Sequence, residues 1–174
     1  MEITAAMVKA LREETGAGIM DCKRALSDTA GDVEKAKAIL REKGLASAAK
    51  KESRETSQGL VEVYIHGGGR IGAMVELNCE TDFVARTDEF KGLARDIAMQ
   101  VVALNPRFVS PDAAPAATIE AEGLSEEDVK NASITTQAYF RDPKLTVGEK
   151  IKEVIAKSGE NIRVRRFERY ELGR

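Results

Sequence analysis

Residues 59–86 read GLVEVYIHGGGRIGAMVELNCETDFVAR, and this stretch decides the fold. Val61, Val63 and Ile65 alternate with Glu62, Tyr64 and His66. Gly67-Gly68-Gly69 turns the chain, after which Ile71, Ala73, Val75 and Leu77 alternate with Gly72, Met74, Glu76 and Asn78. A period of two on both sides of a glycine turn predicts an antiparallel hairpin with one buried face. On that reading Val61, Val63 and Ile65 join the second strand's apolar set inside. The glycine triplet lacks the GxxxxGK(S/T) spacing and links two strands, which makes it a hairpin turn and not a phosphate cradle.

The hairpin runs into Cys79-Glu80-Thr81-Asp82-Phe83-Val84-Ala85-Arg86, a strand-to-helix corner of the kind that presents functional side chains from a rigid scaffold. Burying a Phe is worth about 1.5–3 kcal/mol, so Phe83 either folds back onto its own core or meets something else. Beyond the corner, Thr87 caps a helix with the stripe Phe90, Leu93, Ala94, Ile97, Ala98, Val101 and Val102, ending at Asn105-Pro106. Residues 107–124, rich in Pro and Ala and then acidic, read as an irregular connection. Ser125 opens a short capped helix, and Thr146-Val147-Gly148-Glu149 is a capping box before a last helix that stops at Ser158-Gly159. Residues 162–170 form a final strand whose alternation slips between Val164 and Phe167, the mark of a bulge.

Upstream of the hairpin, residues 1–44 predict three short helices. Thr4 caps the first, Gly16 and Gly18 separate it from the second, Gly31-Asp32 opens the third, and Gly44 closes it. So few large apolar residues make a small core near the lower limit for independent folding, as in a binding module. Residues 45–58, turning to Ala, Ser and charge, read as a linker with some helical propensity. The predicted organisation is a three-helix module (1–44), a linker (45–58) and a core domain (59–174) ordered β-β-α-α-α-β. The fold class is α+β, with helices packed on a small antiparallel sheet.

Composition narrows function. A net charge of −2 gives no electrostatic support for a nucleic-acid or anionic-membrane partner. No apolar run approaches the length of about 18 residues that spans a bilayer, and the opening Met1-Glu2-Ile3 does not read as a signal peptide. Cys22 and Cys79 form no CxxC and, with the single His66, cannot complete a four-ligand zinc site without carboxylates; two small buried thiols suit a reduced, cytoplasmic setting. An enzyme would have to use Glu80 and Asp82 with His66 or a thiol. No nucleophile elbow or HExxH accompanies them, so the chain reads as a binding protein with no cofactor or metal.

The segment Leu11-Arg12-Glu13-Glu14-Thr15-Gly16-Ala17-Gly18-Ile19-Met20-Asp21-Cys22-Lys23-Arg24-Ala25-Leu26 resembles the N-terminal signature of the translation elongation factor Ts family. Residues 76–86, ELNCETDFVAR, resemble its second signature, and residues 159–167, GENIRVRRF, resemble the ending of its short members. The resemblance implies a guanine-nucleotide exchange factor for elongation factor Tu, with a module similar to the ubiquitin-associated fold. It implies that Thr81, Asp82, Phe83 and Val84 form the partner-binding corner, with Asp82 and Phe83 reaching the partner's magnesium and phosphate site. Ile19 and Met20 would dock the module on the same partner domain, while the C-terminal part of the core would touch the partner's third domain. It also implies a homodimer. Longer members carry a second core half and a coiled-coil insertion that do not fit in 174 residues, and Asn131 to Gln137 reads as a trimmed helical stretch. Two other classes fit less of the sequence: a protein-binding adaptor without exchange activity, and a metal-dependent hydrolase built on Glu80 and Asp82.

Overall fold

The computed structural model describes residues 2–174; Met1, at the start of the expected module, lies outside the described residues. Helices α1 (Ala5–Thr15), α2 (Ile19–Asp28) and α3 (Val33–Ala49) come first. Thr4 and Asp32 cap α1 and α3 through their side chains, and Gly16 ends α1 in the left-handed conformation. Val8, Leu11, Cys22, Ala25, Leu26, Ala36 and Leu40 form a small core among the three helices.

The third helix does not stop at Gly44 as expected. It runs to Ala49, taking in the first five residues of the predicted linker. The reason lies 112 residues away in α8 (Val147–Ser158). A Cβ at position 44 would sit 3.1 Å from the Cβ of Ala156, so glycine here permits close helix packing and does not act as a stop. Ala48, in the added turn, belongs with Ile151, Val154 and Ile155 of α8 to a second, larger core, and Arg41 pairs with Glu149 and Glu153 of α8.

Strands β1 (Gln58–His66) and β2 (Ile71–Cys79) form the expected hairpin. With β5 (Ile162–Glu171) they make an antiparallel sheet in the order β1-β2-β5. Pairing skips Arg165, between Glu76↔Arg166 and Leu77↔Val164, which is the predicted bulge. On β2 the predicted residues face inward. On β1 the expectation is reversed: Leu60, Glu62 and Tyr64 face the core side, while Val61, Val63 and Ile65 are exposed. The turn Gly67–Arg70 pairs His66 with Ile71 and therefore Glu62 with Val75, and a one-residue change of register moves every side chain to the other face. The inward polar groups are used: Arg95, on the long helix after the corner, pairs with Glu62 at 3.5 Å and lies over the Tyr64 ring.

Helix α4 (Asp82–Ala85) makes the corner and α5 (Asp88–Leu104), capped by Thr87, covers the sheet; its predicted stripe is buried throughout. The segment expected to be irregular contains α6 (Ala116–Glu122), and α7 (Glu126–Asn131) follows with a Ser125–Asp128 capping box. A small hairpin of β3 (Ala138–Tyr139) and β4 (Asp142–Thr146) precedes α8. Buried Gln100 of α5 holds it, donating to the Ala138 carbonyl at 2.9 Å and accepting from the Phe140 N–H at 3.1 Å. The α+β class stands, with more short elements than the sequence predicts. No helix among the described residues is long and apolar enough to cross a membrane.

Candidate functional site

The corner after β2 is held from a distant part of the chain. Thr81 caps α4, its hydroxyl accepting from the Val84 N–H at 3.5 Å and donating to Glu160 Oε1 at 2.6 Å. Glu160 Oε2 accepts from the backbone N–H groups of Glu80 and Thr81 at 3.2 and 3.0 Å. Glu80 answers in kind: its Oε1 accepts from the Asn161 N–H at 2.6 Å and pairs with Arg54 at 3.5 Å. Hydrogen bonds to a charged acceptor contribute about 1.5–3 kcal/mol each when partly shielded, so this reciprocal arrangement stiffens the corner.

Behind it, Ala85 is buried and Val84 packs on the main core. Phe83 projects outward with 78% of its surface exposed, which answers the question its sequence context left open: it does not fold back. Asp82 forms an i,i+4 ion pair with Arg86 at 2.7 Å. Thus Thr81 and Val84 face the scaffold, and the outward chemistry is an acid–arginine pair beside a bare aromatic ring. Ile19 and Met20, in the first turn of α2, are likewise exposed at 56% and 65%, while Cys22, Ala25 and Leu26 of the same helix fill the module's core.

The groups an enzyme would need are otherwise engaged. Glu80 is engaged through Oε1 by Asn161 and Arg54, and Asp82 pairs with Arg86. Among the described residues no group of three or more His, Cys, Asp or Glu is placed to hold a metal ion. His66 is exposed at the end of β1, its Nδ1 3.0 Å from the Tyr64 hydroxyl. Cys79 is fully buried and donates to the Thr81 carbonyl; burial and the nearby Glu160 charge push its thiol from 9.0 up to about 11. A thiol held protonated in this way is a structural group.

Because its folded value lies above its unfolded one, the stability this thiol supports is complete below pH 9 and is lost as pH rises toward 11. Cys22 is also buried. Neither thiol is expected to react with a disulfide reagent such as Ellman's in the native protein at pH 8, and both react after denaturation. Rapid native-state labelling of Cys79 would contradict this placement.

Residues 6–133 match the family described as Elongation factor TS. Elongation factor Ts of Heliobacterium modesticaldum is 52% identical over 194 aligned positions, covering 98% of this chain and 90% of that protein. Those of Carboxydothermus hydrogenoformans and Desulfosudis oleivorans are 51% and 47% identical, again over 98% of this chain, and over 89% and 98% of theirs. The chain belongs to the elongation factor Ts family. Its place is therefore in translation elongation. The alignments to elongation factor Ts are longer than the 174-residue chain, so within the matched span these relatives carry at least 20 residues that it lacks. Sequence reasoning reached the corner itself but missed Glu160 and Asn161 as its supports. The available signal was an acid–amide pair immediately after a glycine-ended helix.

Proposed function

We propose that the chain is a cytoplasmic guanine-nucleotide exchange factor that binds elongation factor Tu and promotes GDP release, with no catalytic chemistry of its own. The observation that carries this reading is Phe83, bare on a corner that is otherwise tied down. In this reading the Asp82–Phe83 corner enters near the partner's magnesium and phosphate site, with Thr81 and Val84 holding its shape. Residues 1–44 act as the docking module through Ile19 and Met20, residues 45–58 connect it, and residues 59–174 carry the corner.

Exchange demands that the chain bind the nucleotide-free partner more tightly than the GDP-bound one, because coupling between two ligands is reciprocal and a ligand with equal affinity for both states shifts nothing. Titration of the chain into nucleotide-free and GDP-loaded elongation factor Tu tests this. A clear preference for the nucleotide-free form is expected; equal affinities would remove the exchange reading and leave an adaptor.

We also propose a homodimer, with the second copy covering the outer face of the sheet. Val61, Val63, Ile65, Met74 and Tyr170 are exposed there, opposite the face that α5 covers. Exposed apolar side chains grouped on one face mark interaction surfaces, and a twofold contact lets the same face serve both copies. Light scattering is expected to give a dimer mass that Met74→Glu converts to a monomer mass without unfolding. A wild-type monomer mass would contradict it.

A further inference from the structure

We propose that Glu160 is a positioning residue for exchange, acting on Phe83 through Thr81; the proposal rests on the exchange reading above. Gly159 ends α8 in the left-handed conformation and delivers Glu160 and Asn161 to the corner, about 80 residues away along the chain. Glu160 gathers three donors from two consecutive residues: the N–H of Glu80, the N–H of Thr81 and the hydroxyl of Thr81. The nearby Arg54 pairs with Glu80 and not with Glu160. The Glu160 carboxylate is thus directed at the corner backbone just before Asp82 and Phe83.

Asn161, 2% exposed, extends the same turn in the other direction. Its side-chain amide donates to the carbonyls of Glu52 and Arg54, at 3.2 and 2.8 Å, in the segment that leaves α3. Since α3 also packs on α8 at Gly44, the α8–β5 turn is where the corner, the end of α3 and the sheet meet. Glu160 sets the direction of Phe83, and the whole turn sets its placement relative to the three-helix module whose α2 carries Ile19 and Met20. A wedge only transmits force if its base does not give, which is what three converging hydrogen bonds on two adjacent residues provide.

The test compares GDP release from elongation factor Tu at saturating chain for wild type, Glu160→Ala, Glu160→Gln, Phe83→Ala and the Phe83→Ala/Glu160→Ala double variant. A small misplacement of a functional group can cost on the order of 10²-fold, so Glu160→Ala is expected to slow release by about tenfold or more. Glu160→Gln, which keeps one acceptor oxygen, is expected to fall in between. The double variant should be no slower than Phe83→Ala, because Glu160 acts through that ring. Hydrogen exchange at the Glu80 and Thr81 amides should quicken in Glu160→Ala. If Glu160→Ala does not fold, Glu160→Gln alone and with Phe83→Ala carries the same comparison. Wild-type release rates in the Glu160 variants, an equal loss with and without Phe83, or unchanged amide protection would each overturn the proposal while leaving the exchange reading intact. A wild-type chain that fails to accelerate release would instead overturn the exchange reading, and this proposal with it.

Discussion

Phe83→Ala is expected to slow chain-stimulated GDP release by about ten- to hundredfold, since burying a Phe contributes about 1.5–3 kcal/mol and each 1.4 kcal/mol is a factor of ten. The ring is 78% exposed in the free chain, so nothing in the fold depends on it. Its removal should therefore leave the thermal midpoint almost unchanged, within the range of about ±0.5 kcal/mol typical of surface substitutions. Complex formation should persist in part, because Ile19 and Met20 remain exposed on α2 as a separate apolar contact. The same arithmetic sets a ceiling. One aromatic side chain supplies at most about two orders of magnitude, so a larger acceleration needs other contributions. Loss of magnesium coordination and a displaced phosphate loop on the partner are of the right kind, because both remove favourable contacts to the nucleotide phosphates. Unchanged release by Phe83→Ala would end the wedge role of this ring.

Phe90→Ala, seven residues on, is expected to do the opposite. Phe90 is fully buried in the first turn of α5, its N–H capped by the Thr87 hydroxyl at 3.2 Å. Truncating a buried Phe costs about 3–5 kcal/mol through lost transfer energy and the cavity left behind. Against a total stability of about 5–15 kcal/mol for a domain, that is a large share. Urea unfolding should show a lower midpoint with little change in slope, since the surface exposed on unfolding is nearly the same. GDP release by the fraction still folded should be close to wild type. A loss below about 1 kcal/mol would contradict the tight packing of α5 on the sheet.

These two phenylalanines show how far the sequence could be read. These helix starts were legible because N-capping is local chemistry: Thr4, Asp32, Thr87, Ser125 and Thr146 each accept a hydrogen bond from an N–H one turn on. The bulge at Arg165 was legible as a slip in alternation. Features set by distant partners were not. The facing of β1 depends on a four-residue turn and on Arg95 making an inward position favourable for Glu62 and Tyr64. The continuation of α3 past Gly44 depends on Ala156. The β3–β4 hairpin has too few residues to show a period and is held by Gln100. Phe83 stood between core and contact for the same reason: its neighbours alone cannot say whether a ring finds a pocket. The resemblance of residues 76–86 to the family's second signature implied an outward Phe83, whereas Glu160, which ties that corner down, comes from about 80 residues away and is seen only in the fold.

If this corner drives nucleotide release, stopped-flow kinetics will show it. Elongation factor Tu carrying fluorescent GDP is mixed with excess unlabelled GDP and increasing amounts of the chain. The release rate is predicted to rise with chain concentration to a plateau that Phe83→Ala lowers. A release rate that stays at its intrinsic value at every concentration of the chain would contradict the account.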